Sequence, residues 1–397
     1  MPSNCSAFFI FETMNTLPKP LIEKLNLRED QHSKRMLPNE NVLIDFSSND
    51  YLGYAKNELI FQKTHQYLVE NNIQTNGATG SRLLSGNFNL HTETESYIAR
   101  FHGAESALIF NSGYDANLGV LSAMPQRNDI IFYDELCHAS IRDGIQLSKA
   151  KSYKFKHNDL ENLEKLLTKF KIHNTTSVVY IITESVFSMD GDSPNLEKLS
   201  VLCEKHQCYL IVDEAHALGA FGTQGSGLVQ QLNLQDKVFA RIITFGKALG
   251  CHGAVVVGSE LLKSYLINYA RSFIYTTALS PHSIATIYIA YKHLNSEKEQ
   301  IEKLKENIIF FNEKINAIGL KYLFITSNSP IQCAVIPSNE KAKKVSQYLQ
   351  SKGFDVKPIL SPTVPKGQER LRFCLHSFNS YEEITKVLQL LSASLHS

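Results

Sequence analysis

Asp213 and His216 close an apolar run in "YLIVDEAH" (209–216), and Lys247 closes another in "IITFGKALG" (242–250). Both runs have the texture of core strands, so each ionisable group arrives where water is scarce and a partner is needed. A carboxylate after such a strand can cap a helix, hold Mg²⁺ in a nucleotide hydrolase, or pair with a cationic ligand. The hydrolase version requires a GxxxxGK[ST] loop, and the chain has none. GxGxxG and GxSxG are absent as well, which removes the commonest dinucleotide and hydrolase fingerprints. Lys247 alone reads in two ways. Its stem can lie along apolar surface with the head in water or in an ion pair, or it is an amine of lowered pKa that forms a Schiff base.

A third stretch narrows the choice. In "FNSGYDANLG" (110–119) an apolar strand runs into Asn111-Ser112-Gly113 and then a helix-forming segment. The backbone N–H groups at such a helix start suit a phosphate, and the hydroxyls of Thr244 and Ser188, each close to a strand end, can add donors. Each feature is weak alone. An amine, a carboxylate and a phosphate cradle, all at strand ends, form the set that pyridoxal phosphate requires.

The elements that must position these groups are legible as short, continuously apolar runs. "SALIF" (106–110), "DIIFYD" (129–134), "SVVYIIT" (177–183), "CYLIVDEA" (208–215), "ARIITF" (240–245) and "GAVVVGS" (253–259) read as strands covered on both faces. Helical stretches such as "NLEKLSVLCEKHQ" (195–207) separate them, which predicts a doubly wound α/β sheet. Ligands bind at the carboxyl ends of the strands in such sheets. Glu135 through His138 is a fourth polar stretch at a strand end. After a charged helix over 296–319 the chain reads strand, helix, strand, helix, which predicts a smaller α+β unit. The expected division is an N-terminal extension and arm (1–60), a large domain (61–290) and a C-terminal α+β domain (291–397), with residues 1–13 as a weakly ordered extension.

The composition excludes several functions. Forty Lys and Arg against 39 Asp and Glu leave a formal charge of +1, which provides no basic face for nucleic acid. No run of about 18 apolar residues is present to span a membrane. The seven cysteines are scattered, odd in number and free of CxxC pairs, as expected of reduced thiols in a cytoplasmic protein. The His and Cys spacing suggests no metal site.

Longer stretches carry a family resemblance. "IDFSSNDYLGYA" (44–55), "GATGSRLLSGNFNLHTETE" (77–95), "FNSGYDAN", "YDELCHAS", "TESVFSMDGDSPNL", "VDEAHALGAFGTQGSG", "TFGKALGCHGA", "RSFIYTTALSP" and "PTVPKGQERLRFCLH" run from about residue 40 to nearly the end. In this the chain resembles the α-oxoamine synthases, fold-type I pyridoxal-phosphate enzymes that condense an amino acid with an acyl-CoA. The resemblance implies a mostly parallel seven-stranded sheet in the large domain and a homodimer with shared active sites. It also implies roles. Lys247 holds the cofactor as a Schiff base, Asp213 pairs with its ring nitrogen, His216 hydrogen-bonds its phenolic oxygen, and His138 stacks on its ring. The amides of Gly113 and Tyr114, with Thr244, hold the phosphate, which Thr276 and Thr277 reach from the neighbouring subunit, and Ser188 also touches the cofactor. Arg372 grips the amino acid's carboxylate, Asn49 lines the pocket, Thr363 contacts substrate, and Arg35 meets the acyl chain or CoA.

Within the family, "FSSNDYLG" with "SPTVPKGQERLRF" looks most like the biotin-pathway branch, which joins L-alanine to a pimeloyl thioester. Thr94 stands where a leucine is usual, and Ala217-Leu218 where Ser or Gly followed by Thr is frequent. These departures bear on the choice of amino acid. The first alternative is another branch of the same family, serine palmitoyltransferase-like or glycine C-acetyltransferase-like. Two rival readings lie outside the condensing group: an aminotransferase that uses the same lysine without CoA, and a non-catalytic subunit, against which the retained lysine argues.

Overall fold

The computed structural model describes residues 17–37, 42–170 and 177–395. The expected extension over residues 1–13 lies outside these. Twelve strands are numbered in chain order: β1 (Ile44–Asp45), β2 (Ser106–Phe110), β3 (Ile130–Asp134), β4 (Lys151–Phe155), β5 (Val179–Glu184), β6 (Tyr209–Asp213), β7 (Ala240–Thr244), β8 (Ala254–Gly258), β9 (Ile331–Val335), β10 (Phe354–Asp355), β11 (Lys357–Ile359) and β12 (Arg370–Cys374). Seven of them form one sheet in the order β2-β8-β7-β6-β5-β3-β4. All neighbours are parallel except β8, which is antiparallel to both β2 and β7.

The apolar runs form strands because each feeds two cores at once. Ile211 and Ile242 enter the core on one face, while Val212 and Ile243 enter the core on the other. Ile242 and Ile243 are each 1% exposed, and burying a side chain of that size contributes about 1.5–3 kcal/mol. β4 escaped the sequence reading for the converse reason. Its residues, "KSYKF", are mostly exposed at the sheet edge, where lysines protect an unpaired strand from another chain.

Helices cover both faces, and one, Gly113–Ala123, starts immediately after β2. The C-terminal part holds an antiparallel sheet β11-β12-β9, flanked by helices Asn339–Ser351 and Tyr381–Leu395. The short parallel pair β1–β10 ties the 44–45 segment to it. Helix Pro281–Ser296 bridges the boundary at 290/291 that we propose between the two units. β12 thereby presents Arg372 toward the edge of the large sheet where β5, β6 and β7 end.

Candidate functional site

Three strand ends converge at that edge. Glu184 at the end of β5 lies beside Asp213 at the end of β6 in the strand register, and Thr244 ends β7. The turn after β7 is pinned by backbone hydrogen bonds from Phe245 to Gly253 (2.9 Å), Cys251 to Phe245 (2.9 Å) and Gly250 to Lys247 (2.8 Å). Gly250 has φ +58°, and a Cβ there would lie 2.1 Å from the Ala55 nitrogen. Only glycine turns the chain there and lets it approach the 54–55 segment so closely. The turn leaves Lys247 half-buried, with its Nζ 2.7 Å from His216 Nε2. Burial pulls the Lys247 amine down to about 8, against the opposing pull of the Asp213 and Glu184 carboxylates.

Asp213 is 6% exposed. Its Oδ2 accepts from Asn117 Nδ2 at 2.7 Å, and its Oδ1 accepts from the Ala215 amide at 2.9 Å. Asn117 Nδ2 also donates to Ser140 Oγ at 3.1 Å, and that hydroxyl is 2.8 Å from His138 Nδ1. His138 caps the helix Ala139–Leu147, and its own amide donates to Glu184 Oε1 at 2.6 Å. Burial lowers the His138 pKa and holds His216 well below the ordinary histidine value. For Glu184, burial and the neighbouring Asp213 charge act together and raise its pKa to about 8.

Ser112 caps the helix Gly113–Ala123 by accepting from the Asp115 amide at 3.0 Å. A Cβ on Gly113 would come within 3.5 Å of Thr244, so the bare backbone of the helix start faces the Thr244 hydroxyl. Asn111 donates to Thr276 Oγ1 at 3.0 Å and to the Thr277 carbonyl at 2.7 Å, which brings both threonines beside this cradle in the same chain. Tyr114 points outward and hydrogen-bonds Asp143.

On the opposite wall, Arg372 Nη2 donates to Asn49 Oδ1 at 2.9 Å and Arg372 Nε to the Ser188 carbonyl at 2.8 Å. Ser188 thus meets the site through its backbone. Arg35 and Thr363 are exposed, on the loop after the first helix and between β11 and β12. Among the described residues no hydrogen bond or ion pair joins either side chain to the groups above. Three residues here were not anticipated: Glu184, Asn117 and Tyr51. Glu184 carried the same signal as Asp213, a charge closing an apolar run. Asn117 sits one turn into a helix, and Tyr51 hydrogen-bonds His216 at 2.6 Å from a segment 165 positions away; neither has a local signature. Among the described residues no group of three His, Cys, Asp or Glu side chains is placed to hold a metal ion, and no helix is long and apolar enough to cross a membrane.

Comparisons with known proteins agree with one another. The model of the aminotransferase class I and II family matches residues 41–391. The chain is 40% identical over 396 residues to the 8-amino-7-oxononanoate synthase of Emericella nidulans, covering 94% of this chain and 95% of that protein. It is 32% identical to the solved 8-amino-7-oxononanoate synthase of Francisella tularensis, with a TM-score of 0.75 over 90% of this chain and 99% of that one. A serine palmitoyltransferase from S. paucimobilis, solved with a bound pyridoxal-phosphate–myriocin adduct, has a TM-score of 0.85 at 26% identity, covering 95% and 97%.

Proposed function

The chain belongs to the aminotransferase class I and II family and, within it, to the α-oxoamine synthases; from that premise we propose that it condenses L-alanine with a pimeloyl thioester, releasing CoA or a carrier thiol and CO₂ and forming 8-amino-7-oxononanoate for biotin synthesis. It is a pyridoxal-phosphate enzyme of fold type I and an acyltransferase. The observation that carries the reading is the convergence of Lys247, Asp213 and the Gly113–Thr244 cradle at adjoining strand ends. An amine of lowered pKa, a carboxylate and a bare helix start fit the carbonyl, ring nitrogen and phosphate of that cofactor.

When bound, the cofactor supplies a carbonyl for the amino group and an electron sink for the substrate's Cα. Lys247 would hold the cofactor through its carbonyl and, as a free amine, would take the Cα proton of the substrate. A lysine does this near neutrality only if its pKa has fallen, and burial at this turn provides that fall. Asp213, fixed by Asn117 and the Ala215 amide, would hold a proton on the ring nitrogen. His138 would cover one ring face and His216 would donate to the phenolic oxygen. Arg372, steadied by Asn49 and the Ser188 carbonyl, takes the substrate carboxylate in its planar fork. That carboxylate would later leave as CO₂, with a proton taking its place on Cα, which keeps the acyl group. Thr363 is expected to contact substrate, and Arg35 the acyl chain or CoA.

Two copies are expected to share their sites. The Ala278 amide donates to the Gly80 carbonyl at 3.0 Å, which brings the 80–86 loop to the 275–278 segment. Leu84 and Tyr275 on these two stretches are 84% and 72% exposed, large apolar side chains left open to a second copy. Sedimentation should therefore find a dimer.

The substrate assignment is tested by thiol release from short, dicarboxylic and long acyl-CoAs with alanine, glycine, serine or threonine. Alanine with pimeloyl-CoA should be the preferred pair. Preference for serine with palmitoyl-CoA, the alternative favoured by the higher TM-score, would overturn it. Amino-group exchange without thiol release would indicate an aminotransferase.

A further inference from the structure

The Lys247 amine ends a chain of polar contacts that crosses the site to Arg372. Its Nζ is 2.7 Å from His216 Nε2, and the other ring nitrogen, Nδ1, is 2.6 Å from the Tyr51 hydroxyl. That hydroxyl lies 3.3 Å from Asn49 Oδ1, which accepts from Arg372 Nη2 at 2.9 Å. Tyr51 is fully buried and His216 nearly so, so each polar atom of the pair depends on its protein neighbours.

Counting protons along the chain leaves two directions, set by the histidine tautomer. Arg372 can only donate, and it donates to Asn49 Oδ1. The phenol has one proton: it goes to Asn49 Oδ1 at 3.3 Å while His216 Nδ1–H donates to the phenol oxygen, or it goes to an unprotonated His216 Nδ1 at 2.6 Å. The second direction places the phenol proton in the shorter contact. Burial keeps the ring neutral, and a neutral imidazole carries one proton. In the second direction that proton sits on Nε2 and points at the Lys247 nitrogen, which can accept it only when uncharged.

We propose that Tyr51 is a positioning residue whose hydroxyl fixes His216 as the Nε2–H tautomer, so that the ring donates toward the Lys247 amine and favours its uncharged form. The inference rests on the reading of Lys247 and His216 as the cofactor-binding pair. The same Nε2–H is then the donor offered to the cofactor's phenolic oxygen. Among the ionisable groups around Lys247, Asp213 and Glu184 favour its charged form, as does Cys374 more weakly, whereas Arg372 opposes it. Lys247 likewise depresses His138 and His216. Tyr51 thus acts with burial and against the two carboxylates.

The test uses the full chain freed of cofactor and labelled with ¹⁵N in its histidine rings. The His216 signals are identified by their loss in His216→Asn. Shifts of an unprotonated Nδ1 and a protonated Nε2 are expected; an Nδ1–H ring or an imidazolium would overturn the proposal. Tyr51→Phe keeps the ring and removes the hydroxyl. It should give mixed tautomers and raise the Lys247 pKa by about one unit, with about tenfold slower reductive methylation of that lysine at neutral pH. A lower melting temperature with tautomer and pKa unchanged would reduce Tyr51 to packing and overturn the proposal. The cofactor reading is tested separately by loading wild-type protein with pyridoxal phosphate, reducing with borohydride and locating the label. Label away from Lys247 sinks that reading, and the tautomer measurement still decides the role of Tyr51.

Discussion

At the end of β3, Asp134 is fully buried and accepts from His157 Nδ1 at 2.8 Å, from the Asn158 amide at 2.8 Å and from the Leu136 amide at 2.9 Å. His157 Nε2 meets Asp192 Oδ2 at 2.9 Å, and Asn158 Nδ2 donates to the same oxygen at 2.7 Å. One, two and three strands away, Glu184, Asp213 and Lys247 occupy the same edge of the sheet. There the Lys247 amine has one hydrogen-bond partner among the described residues, a neutral histidine. Burial opposes the cation in both places, with opposite outcomes. Two carboxylates in contact with His157 override burial and hold its pKa up at about 10. Near Lys247 the carboxylates act without contact, burial prevails, and the amine falls to about 8. A charge whose partners are complete stabilises the fold, whereas one left short of partners remains available for chemistry.

The largest effect expected from this contrast is at Lys247. Lys247→Ala should reduce thiol release by at least about 10³-fold while leaving the denaturation midpoint unchanged or slightly higher, because a poorly paired amine has been removed. Normal turnover would break the comparison at its functional end, and a large loss of stability would break it at its structural end.

His157→Ala should do the reverse. Asp134 would remain buried without its cation, at a cost of about 3 kcal/mol, read by urea denaturation, while turnover per folded molecule changes less than about tenfold. The pH dependence has a definite sign. The folded pKa of His157 lies above its unfolded value of about 6.5, so the stability it contributes is complete below that value. It is lost as pH rises through about 10. Wild-type stability should fall over that window, and the variant should lack this component.

These two clusters also show what could be read from sequence. Asp213 and Lys247 were legible because each closes an apolar run, and the sheet that fills both cores makes such runs conspicuous. Glu184 closes "VYIITE" in the same way and could have been read. His157 could not. It follows β4, whose exposed "KSYKF" has no apolar signature, and its two carboxylates come from 23 and 35 positions away. Arg372 and Asn49 were found only through the family resemblance, since they meet from 323 positions apart. Tyr51 and Asn117 are long-range partners of the same kind. Sheet geometry is periodic and leaves a local trace, whereas a hydrogen bond between distant segments leaves none.

On the far wall, Arg372 is steadied by Asn49 and the Ser188 carbonyl, and among the described residues no carboxylate pairs with it. Arg372→Lys keeps the charge and loses the planar fork. The expected result is an increase of about tenfold in the KM for the amino acid, with a smaller change in kcat. An equal fall in both kcat and kcat/KM would mean that the guanidinium acts only in the transition state.

The smallest effect is expected at Glu184, where the two kinds of cluster meet. Its carboxyl accepts the His138 amide at 2.6 Å, a structural bond, yet it lies beside Asp213 with no cation in contact. Its raised pKa, about 8, means that the folded state binds its proton more tightly than the unfolded chain. Between about pH 4.5 and 8 the native protein holds more protons, so this group makes stability fall as pH rises through that window. Glu184→Gln retains an oxygen for the His138 amide and removes the ionisation. Stability at pH 6 should change by less than about 1 kcal/mol, and the decline from pH 6 to 8 should flatten. The Lys247 pKa should also fall further, because one of the two carboxylates favouring its charged form is gone. An unaltered slope together with an unaltered lysine would mean that Glu184 belongs with Asp134, as a saturated anchor rather than part of the charge balance around the amine.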